Sequence, residues 1–331
     1  MSFARLAPFI ALLACGHAGT QIATLPVASN PGSWPTPLAV DSANVYAAPS
    51  DVAATALSVF AVPLAGGAPV QLIGNRHVQA IAVSMALDER NLYLAARDFT
   101  GGSNTNGSSL IWRLPKAGGQ DPVLLAQANG VSSLATDGQL VYWAGSDGIQ
   151  AAPADGSGSA RTLLADSFHV TSMALDGSSI FYIHLPVGAV QTLSVRLMPK
   201  LGGGWQEIAT LPASQSTWNF DIAAGATDLF FDAAEQADRI YSVPKTGGAP
   251  TQLAGLARLL SLAADGAQVF WTSQSVSGNG SQITAHGGAL AGGTPGHTGT
   301  VSSSGAWFSR VALDSKFAYW IEDRALYRAA R

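Results

Sequence analysis

The sequence contains a single cysteine, Cys15, among 331 residues, so it can form no internal disulfide bond. Charged residues are also scarce, at 11%, whereas the hydrophobic set reaches 47%, which is enough material for a large core. Lysine and arginine are scattered through a chain whose formal net charge is −4. That balance excludes the basic surface by which proteins grip nucleic acid, and we expect no nucleic-acid partner.

Long apolar runs are missing as well, because none reaches the roughly 18 residues of a membrane-spanning helix. The N-terminus instead carries Arg5 and a short apolar stretch that ends at Cys15, a pattern typical of a signal peptide. The segment Leu12-Leu13-Ala14-Cys15 resembles the lipobox of bacterial lipoproteins, in which the cysteine becomes a lipid anchor. Cleavage near Ala18 without lipidation is the alternative.

These features predict an exported protein with a signal peptide and lipobox at residues 1–15 and a single domain over residues 16–331. We expect a lipoprotein of the outer membrane or cell surface, or otherwise a periplasmic or secreted protein. The only predicted membrane contact is the lipid on Cys15, and we expect a monomer.

Catalytic signatures are a further absence. The chain has no HExxH, GxSxG or GxGxxG motif and no P-loop, and none of its six histidines has another within five residues. The sequence therefore indicates no catalytic residue, no metal site and no cofactor.

What the sequence does contain is a repeat. Segments such as Ser133–Trp143 recur at spacings of 39 to 49 residues, each centred on a turn residue that we call its anchor. Two positions before every anchor stands alanine, three before it a large apolar residue, and five after it tyrosine or phenylalanine. The seven anchors are Asp41, Asp88, Asp137, Asp176, Gly225, Asp265 and Asp314.

Each column of the repeat has a physical reason. Alanine suits an innermost strand where neighbouring sheets converge, and an aspartate suits the tight turn that follows, because its carboxylate can accept backbone N–H groups. The aromatic residue begins a second strand. A third strand ends at a Pro-x-x-Gly-Gly hairpin, as at Pro244 to Gly248, and a fourth strand follows. Four strands in about 45 residues is one propeller blade.

The two ends of the chain predict how the ring closes. The C-terminal segment Ala325–Arg328 matches a third strand, which leaves the seventh blade without a fourth. Residues Ile22–Pro26 repeat Ile208–Pro212, the fourth strand of another blade. The sequence therefore predicts an all-β, seven-bladed β-propeller with four-stranded blades, in which residues 21–26 complete the last blade beside Leu326.

Two families share these motifs. Leu134–Leu164 resembles a blade of the YWTD-type propellers of the low-density-lipoprotein-receptor class, although Ala144 and Ile321 stand where that class has threonine. Ser242–Ala254 followed by Ala263–Thr272 is similar to the repeat of bacterial cell-surface propeller proteins. The resemblance covers nearly all of residues 21–331 and implies the propeller fold. Receptor propellers of the YWTD class bind proteins.

The loops between second and third strands, and those that enter each innermost strand, vary in length and share one face of the disk, which we call the loop face. The anchor turns and Gly-Gly hairpins share the opposite face, which we call the turn face. Seven positions before the anchors stand several residues suited to ligand contact, which form a candidate rim of the central channel: Trp34, His169, Trp218, Arg258 and Trp307. The alternative is that the tryptophans only plug the channel.

Two function classes follow. The first is a non-catalytic binding or scaffold protein that recognises a protein or another cell-surface ligand through the loop face. The second is a hydrolase, lactonase or lyase with its site at the channel mouth, which would require two or more acidic or histidine side chains to converge there.

Overall fold

The computed structural model describes residues 19–26, 35–49, 57–76, 80–98, 107–165, 170–185, 192–212, 220–234, 238–255, 258–266, 268–277, 280–289, 296–303, 310–322 and 324–331. Their strands form seven antiparallel sheets of four strands each. The predicted seven-bladed β-propeller is confirmed.

Four blades come from the first two thirds of the chain, each running from the channel outward. Blade 1 comprises Leu38–Val40, Asn44–Ala47, Leu57–Pro63 and Val70–Arg76. Blade 2 comprises Ala80–Leu87, Asn91–Asp98, Ser108–Pro115 and Val123–Asn129. Blade 3 comprises Ser133–Thr136, Leu140–Gly145, Gly148–Pro153 and Arg161–Ala165. Blade 4 comprises Val170–Leu175, Ser179–His184, Thr192–Pro199 and Gln206–Pro212.

The remaining three blades complete the ring. Blade 5 comprises Ile222–Ala224, Asp228–Ala234, Asp238–Pro244 and Thr251–Gly255. Blade 6 comprises Leu259–Asp265, Gln268–Ser277, Gly280–Ala289 and Gly296–Ser303. Blade 7 comprises Ala312–Leu313, Phe317–Glu322, Ala325–Ala330 and, from the N-terminus, Thr20–Thr24.

The ring is closed by the N-terminal strand, as the sequence predicted. Thr20–Thr24 pairs antiparallel with Ala325–Ala330, and Ala23 lies opposite Leu326. The N–H of Leu25 donates to the carbonyl of Arg324 at 2.8 Å, and the Leu25 side chain is buried. The strand begins one residue before the predicted segment 21–26. It covers an edge that would otherwise expose unpaired backbone groups.

Most of the core lies between the blades, although a small cluster around Trp320 and Ala329 lies within blade 7. Seven apolar clusters of buried residues each combine side chains of two neighbouring blades, and the cluster between blades 7 and 1 includes Leu25, Phe60 and Tyr319. The repeated alanine packs across such a junction, as Ala223 does with Leu262. A residue larger than alanine would hold the two sheets apart at this point.

The Gly-Gly hairpins need glycine for a conformational reason. Gly247 and Gly248 adopt φ values of 92° and 143°, which side chains with a Cβ rarely tolerate. No helix in the described part of the chain is long and apolar enough to span a membrane.

Candidate binding site at the channel mouth

Arg258 is the member of the predicted rim that lies within the described residues. It immediately precedes the innermost strand of blade 6, and its side chain is exposed. Its carbonyl oxygen accepts the N–H of Gln274 at 2.9 Å, and its Nη1 donates to Oε1 of that residue at 3.3 Å. The other predicted site residues lie outside the described residues, and their roles stay predictions: Trp34, His169, Trp218, Trp307 and the lipid anchor Cys15.

A cavity of about 280 Å³ opens at the centre of the loop face. It is lined by residues that precede or begin the innermost strands, and by residues at the ends of second strands. Because the seven innermost strands converge on the channel, every blade contributes to the wall. One lining residue from each blade, in chain order, is Pro35, Val83, Val131, Val170, Phe220, Leu259 and Arg310.

An ion pair spans the cavity between blades 5 and 7. Nη1 of Arg310 donates to Oδ1 of Asp221 at 2.9 Å, and both side chains are largely shielded from solvent. The other contacts of this carboxylate come from blades 4 and 6. Ser172 Oγ donates to Oδ1 at 3.2 Å, while Ser261 Oγ and the N–H of Leu262 donate to Oδ2 at 3.4 and 3.1 Å. Asp221 therefore ties four blades together at the channel.

Asp221 and Arg310 occupy the same position of the repeat, four residues before the anchor. In blades 2 and 3 this position holds a serine whose Oγ accepts a backbone N–H of the next blade. Ser84 accepts the N–H of Leu134 at 3.0 Å, and Ser133 accepts that of Met173 at 3.3 Å. The whole column, in chain order, is Pro37, Ser84, Ser133, Ser172, Asp221, Ser261 and Arg310.

This column was not predicted from the sequence, where the candidate rim was placed at the position seven residues before the anchor. The signal was present: small hydroxyl residues fill the column in four blades, and two oppositely charged residues interrupt it. That Asp221 and Arg310 contact each other follows only from the closed ring.

A second guanidinium, that of Arg97, lines the cavity from the end of the second strand of blade 2. Burial lowers the pKa of Arg97, because a cation loses hydration in this setting. Thr171 also lines the cavity, and its Oγ1 is buried without a hydrogen bond to any described residue.

The described lining contains one carboxylate, Asp221, and no histidine. Nor do the described residues include a group of three or more histidine, cysteine, aspartate or glutamate side chains that could hold a metal ion. The remaining lining is largely apolar, with valine, leucine and phenylalanine side chains. Such a pocket can bind a ligand by apolar contact and by charge-assisted hydrogen bonds from arginine.

The turn face has a different chemistry. Oδ1 of Asp41 accepts the N–H groups of Ala43 and Asn44 at 2.9 Å each, while Oδ2 accepts the hydroxyl of Tyr46 at 3.0 Å. The same pair of turn N–H bonds recurs at four further anchors: Asp88, Asp137, Asp176 and Asp314. The anchor aspartates therefore stabilise turns, as expected from the sequence.

Burial and these hydrogen bonds shift the pKa values of Asp41 and Tyr46. Burial by itself would raise the pKa of Asp41, but hydrogen bonds from Lys116, the turn N–H groups and Tyr46 outweigh it and lower the pKa. Burial, assisted by the Asp41 carboxylate, raises the pKa of Tyr46 to about 12.

No protein-family profile and no curated protein matches this sequence. Solved structures do match in fold. The chain is similar to one in the crystal structure of a nidogen/laminin complex, with a TM-score of 0.56, 13% identity, and 84% of this chain and 97% of that chain covered. It is similar to a chain of the mitotic checkpoint complex, with a TM-score of 0.63, 13% identity, and coverage of 100% and 98%.

A third similar chain belongs to hydrazine synthase of Kuenenia stuttgartiensis, with a TM-score of 0.64, 13% identity, and 93% of this chain and 99% of that chain covered. At these identities the likeness shows the fold alone. It supports the propeller fold that the YWTD-type resemblance implied.

Proposed function

We propose that this protein is a non-catalytic binding or scaffold propeller that recognises a protein or another cell-surface ligand through its loop face. The observation that carries the proposal is the channel-mouth cavity, where charged and apolar side chains from different blades line one concave surface. Concave, mostly apolar sites with a few converging polar groups are the usual form of a binding pocket. Two of the similar chains described above come from structures of protein complexes, which agrees with a role in binding.

The turn face is a weaker candidate for this role. Several of its charged side chains pair with one another, as Lys116 Nζ does with Asp41 Oδ2 at 2.7 Å and Lys200 Nζ does with Asp137 Oδ2 at 3.2 Å. Side chains engaged in this way would have to break existing contacts before they could meet a partner. The loops of the loop face vary in length and sequence from blade to blade, and such variable loops are where repeat folds usually carry binding residues.

Location and oligomeric state belong to the same proposal. The protein is exported and tethered at the outer membrane or cell surface through Cys15, and it acts as a monomer. Mass spectrometry of the mature N-terminus tests the anchor. An acylated N-terminal Cys15 is expected, whereas a free amine near Gly19 without an acyl mass would contradict it.

Matched variants on the two faces test the binding proposal. The purified propeller is cross-linked to envelope extracts, and partners are compared between wild type and a loop-face variant that combines Arg258→Ala with alanine at Trp34, Trp218 and Trp307. The control combines alanine at three exposed turn-face positions, Glu89, Arg90 and Lys316.

A partner that is retained by the turn-face control and lost by the loop-face variant is the expected result. Equal capture by both variants, with both folded by circular dichroism, would contradict the proposal. A hydrolase, lactonase or lyase remains the alternative, and no observation at the cavity favours it, since its described lining holds a single carboxylate.

A further inference from the structure

We infer that the outer edge of the turn face rests on the lipid bilayer, where the hairpin tips of blades 1, 2 and 4 enter the headgroup region. This inference rests on the tether through Cys15 in the proposed function, to which it adds the orientation of the disk. The loop face then points away from the membrane and is open to its partner.

The first argument is where the exposed apolar side chains lie. A single exposed apolar residue is common on any protein surface, so only a shared position calls for an explanation. In blades 1, 2 and 4 the fourth strand begins at the turn face, because it follows a Gly-Gly hairpin. All five large apolar side chains that are exposed in the described part of the chain lie in such a hairpin or at the start of such a strand: Val70, Val123, Leu124, Leu201 and Trp205.

The hairpin of blade 4 carries the most suitable pair for a membrane surface. Leu201 is 77% exposed and Trp205 is 46% exposed, and both lie between the third and fourth strands of the blade. The guanidinium of Arg196 lies 3.8 Å from the centroid of the Trp205 ring, which holds the ring at the hairpin by a cation–π contact. Tryptophan is enriched at membrane–water interfaces because it combines a large apolar ring with a polar N–H group.

The second argument is the charge beside these tips. The hairpin of blade 1, residues 64–70, contains no charged residue. In blade 4, Lys200 precedes Leu201, but its Nζ lies 3.2 Å from Asp137 Oδ2, so its charge is paired. Neutral and paired groups lose less free energy on entering the headgroup region than isolated charges do. Asp121 is a charged neighbour of Val123 in blade 2, and we expect that tip to enter least.

The third argument is the place where the chain enters the propeller. Thr20 begins the closing strand opposite Arg328, whose Nη1 donates to the carbonyl of Leu64 in the hairpin of blade 1 at 2.6 Å. The chain therefore enters at the turn face, beside blade 1. The five steps from Cys15 to Thr20 span at most roughly 17 Å when fully extended. A lipid on Cys15 consequently brings this edge to the membrane rather than the loop face.

A bilayer suits this surface better than a protein partner does. The apolar side chains project from separate hairpins, whereas a protein partner usually covers one contiguous patch. Lipid headgroups and acyl chains are fluid, so they can surround separate tips without matching their shape. Blades 1, 2 and 4 also lie on one side of the ring, so their tips can touch the bilayer together.

Fluorophores attached to single cysteines test the inference. Cys15 is the only cysteine, and in the anchored protein its sulfur carries the lipid, so an environment-sensitive fluorophore reacts only at an introduced residue, Leu201→Cys or Val70→Cys. The mature protein is reconstituted in vesicles of phosphatidylethanolamine and phosphatidylglycerol, with or without lipids that are brominated in their acyl chains. The matched control is Thr210→Cys, an exposed position on the fourth strand of blade 4 that lies about 17 Å along the chain from Trp205 towards the loop face.

We expect brominated lipids to quench roughly half of the fluorescence at positions 201 and 70 and to leave that at position 210 unchanged, because interfacial side chains reach the boundary of the acyl chains. Equal quenching at positions 201 and 210, or no quenching at either, would overturn the inference. So would shielding of position 201 from iodide in water without quenching by brominated lipid, since a protein or a second copy of this chain would then cover the tips.

Mass spectrometry of the same preparation distinguishes this failure from failure of the proposed function. If Cys15 is acylated and position 201 is not quenched, the tether stands and the orientation falls. If Cys15 is not acylated and added vesicles do not quench position 201, both fall. Capture of a partner by the loop face is measured separately and does not depend on either result.

Discussion

The turn face and the channel mouth show two ways in which a repeat can vary. On the turn face, the residue that follows the end of a third strand is a cation in four blades, and it pairs with the anchor aspartate of the preceding blade. Lys245 Nζ lies 3.3 Å from Asp176 Oδ2. The four pairs are Lys116 with Asp41, Lys200 with Asp137, Lys245 with Asp176, and Arg331 with Asp265.

Two blades lack the cation, and in both an arginine of the preceding blade contacts the turn instead. Blades 3 and 1 have Ala154 and Leu64 where the cation would be, and in each case an arginine of the preceding blade approaches the same turn. Arg113 Nη1 donates to the Asp155 carbonyl at 2.5 Å, and Arg328 Nη1 donates to the Leu64 carbonyl at 2.6 Å.

At the remaining junction, between blades 5 and 6, both the anchor carboxylate and the cation are missing. Blade 5 has Gly225 in place of the anchor aspartate, and the sequence of blade 6 has Leu290 in place of the cation. At each junction of the turn face, therefore, a cation pairs with the anchor aspartate, or an arginine donates to the neighbouring turn, or both charges are absent.

The channel mouth departs from the repeat in another way. At the position that holds serine in four blades, blades 5 and 7 carry Asp221 and Arg310, whose side chains pair with each other and line the cavity. Ion pairs on the turn face recur from junction to junction, whereas this pair interrupts a column of serines and faces a cavity. The predictions below test that distinction, beginning with the largest expected effect.

Deleting the closing strand should have the largest effect on the regular part of the molecule. Removal of Thr20–Leu25 exposes the third strand of blade 7 and the buried site of the Leu25 side chain. We expect a loss of roughly 5 kcal/mol in unfolding free energy, together with aggregation through the exposed edge. Chemical denaturation and light scattering measure both, with Gln21→Ala, an exposed position on the same strand, as the control. A deletion variant that stays monomeric with wild-type stability would show that closure does not depend on this strand.

Tyr142 tests the core side of an anchor turn. Its ring is buried, and its hydroxyl donates to Asp137 Oδ2 at 2.9 Å. Tyr142→Ala should cost about 3–5 kcal/mol of unfolding free energy, while Tyr142→Phe, which mimics the phenylalanine of three other blades, should cost only about 1 kcal/mol. Neither change should alter ligand binding at the channel mouth. Similar losses for the two variants would mean that the hydrogen bond, and not the ring, dominates.

Acid and alkali should weaken the turn face in two separate pH windows. The pKa of an anchor such as Asp41 is lowered in the folded protein, so its stabilisation is complete above the unfolded value of about 3.9 and is lost as pH falls below it. The pKa of Tyr46 is raised to about 12, so its contribution is complete below about pH 10 and is lost as pH rises towards the folded value. Thermal melting across pH measures both limits. In Asp41→Asn the melting temperature should fall less steeply at acid pH than in the wild type. An unchanged acid dependence in that variant would mean that Asp41 does not cause the loss of stability.

A single ion pair of the turn face should contribute modestly. Lys116 and Asp41 are both largely shielded, and we expect Lys116→Ala to cost about 1–2 kcal/mol. A double-mutant cycle with Asp41→Asn isolates the pair from the other bonds of Asp41. Coupling indistinguishable from zero would mean that the turn N–H bonds, rather than the cation, account for the stabilising role of the anchor.

The smallest effect on stability is expected at Arg258. Its exposed side chain contacts Gln274, and Arg258→Ala should change the unfolding free energy by less than about 0.5 kcal/mol. The same measurement on alanine variants of Trp34, Trp218 and Trp307 distinguishes a ligand rim from channel plugs. If these variants lose as much unfolding free energy as Tyr142→Ala, the tryptophans fill the channel as structural residues and do not form a ligand rim.

Much of the fold could be predicted from the sequence because its signals are local. The Asp41 carboxylate accepts the N–H groups two and three residues ahead, so the turn is specified within four residues, and the same is true at Asp314. The match between residues 22–26 and 208–212 likewise predicted the closing strand. The candidate site was harder to predict, because the tryptophans near the channel give a conspicuous sequence signal and the serine column that contains Asp221 and Arg310 gives a weak one.

The sequence by itself determined the number of blades, their turns and the closure of the ring, since each depends on residues that are near one another or that recur in a fixed pattern. The tertiary structure decided which side chains share the channel mouth. Asp221 and Arg310 are 89 residues apart, and Arg97 lies farther still from both along the chain. They reach one cavity only because seven inter-blade junctions, each packed by its own apolar cluster, bring the blades round to a closed ring.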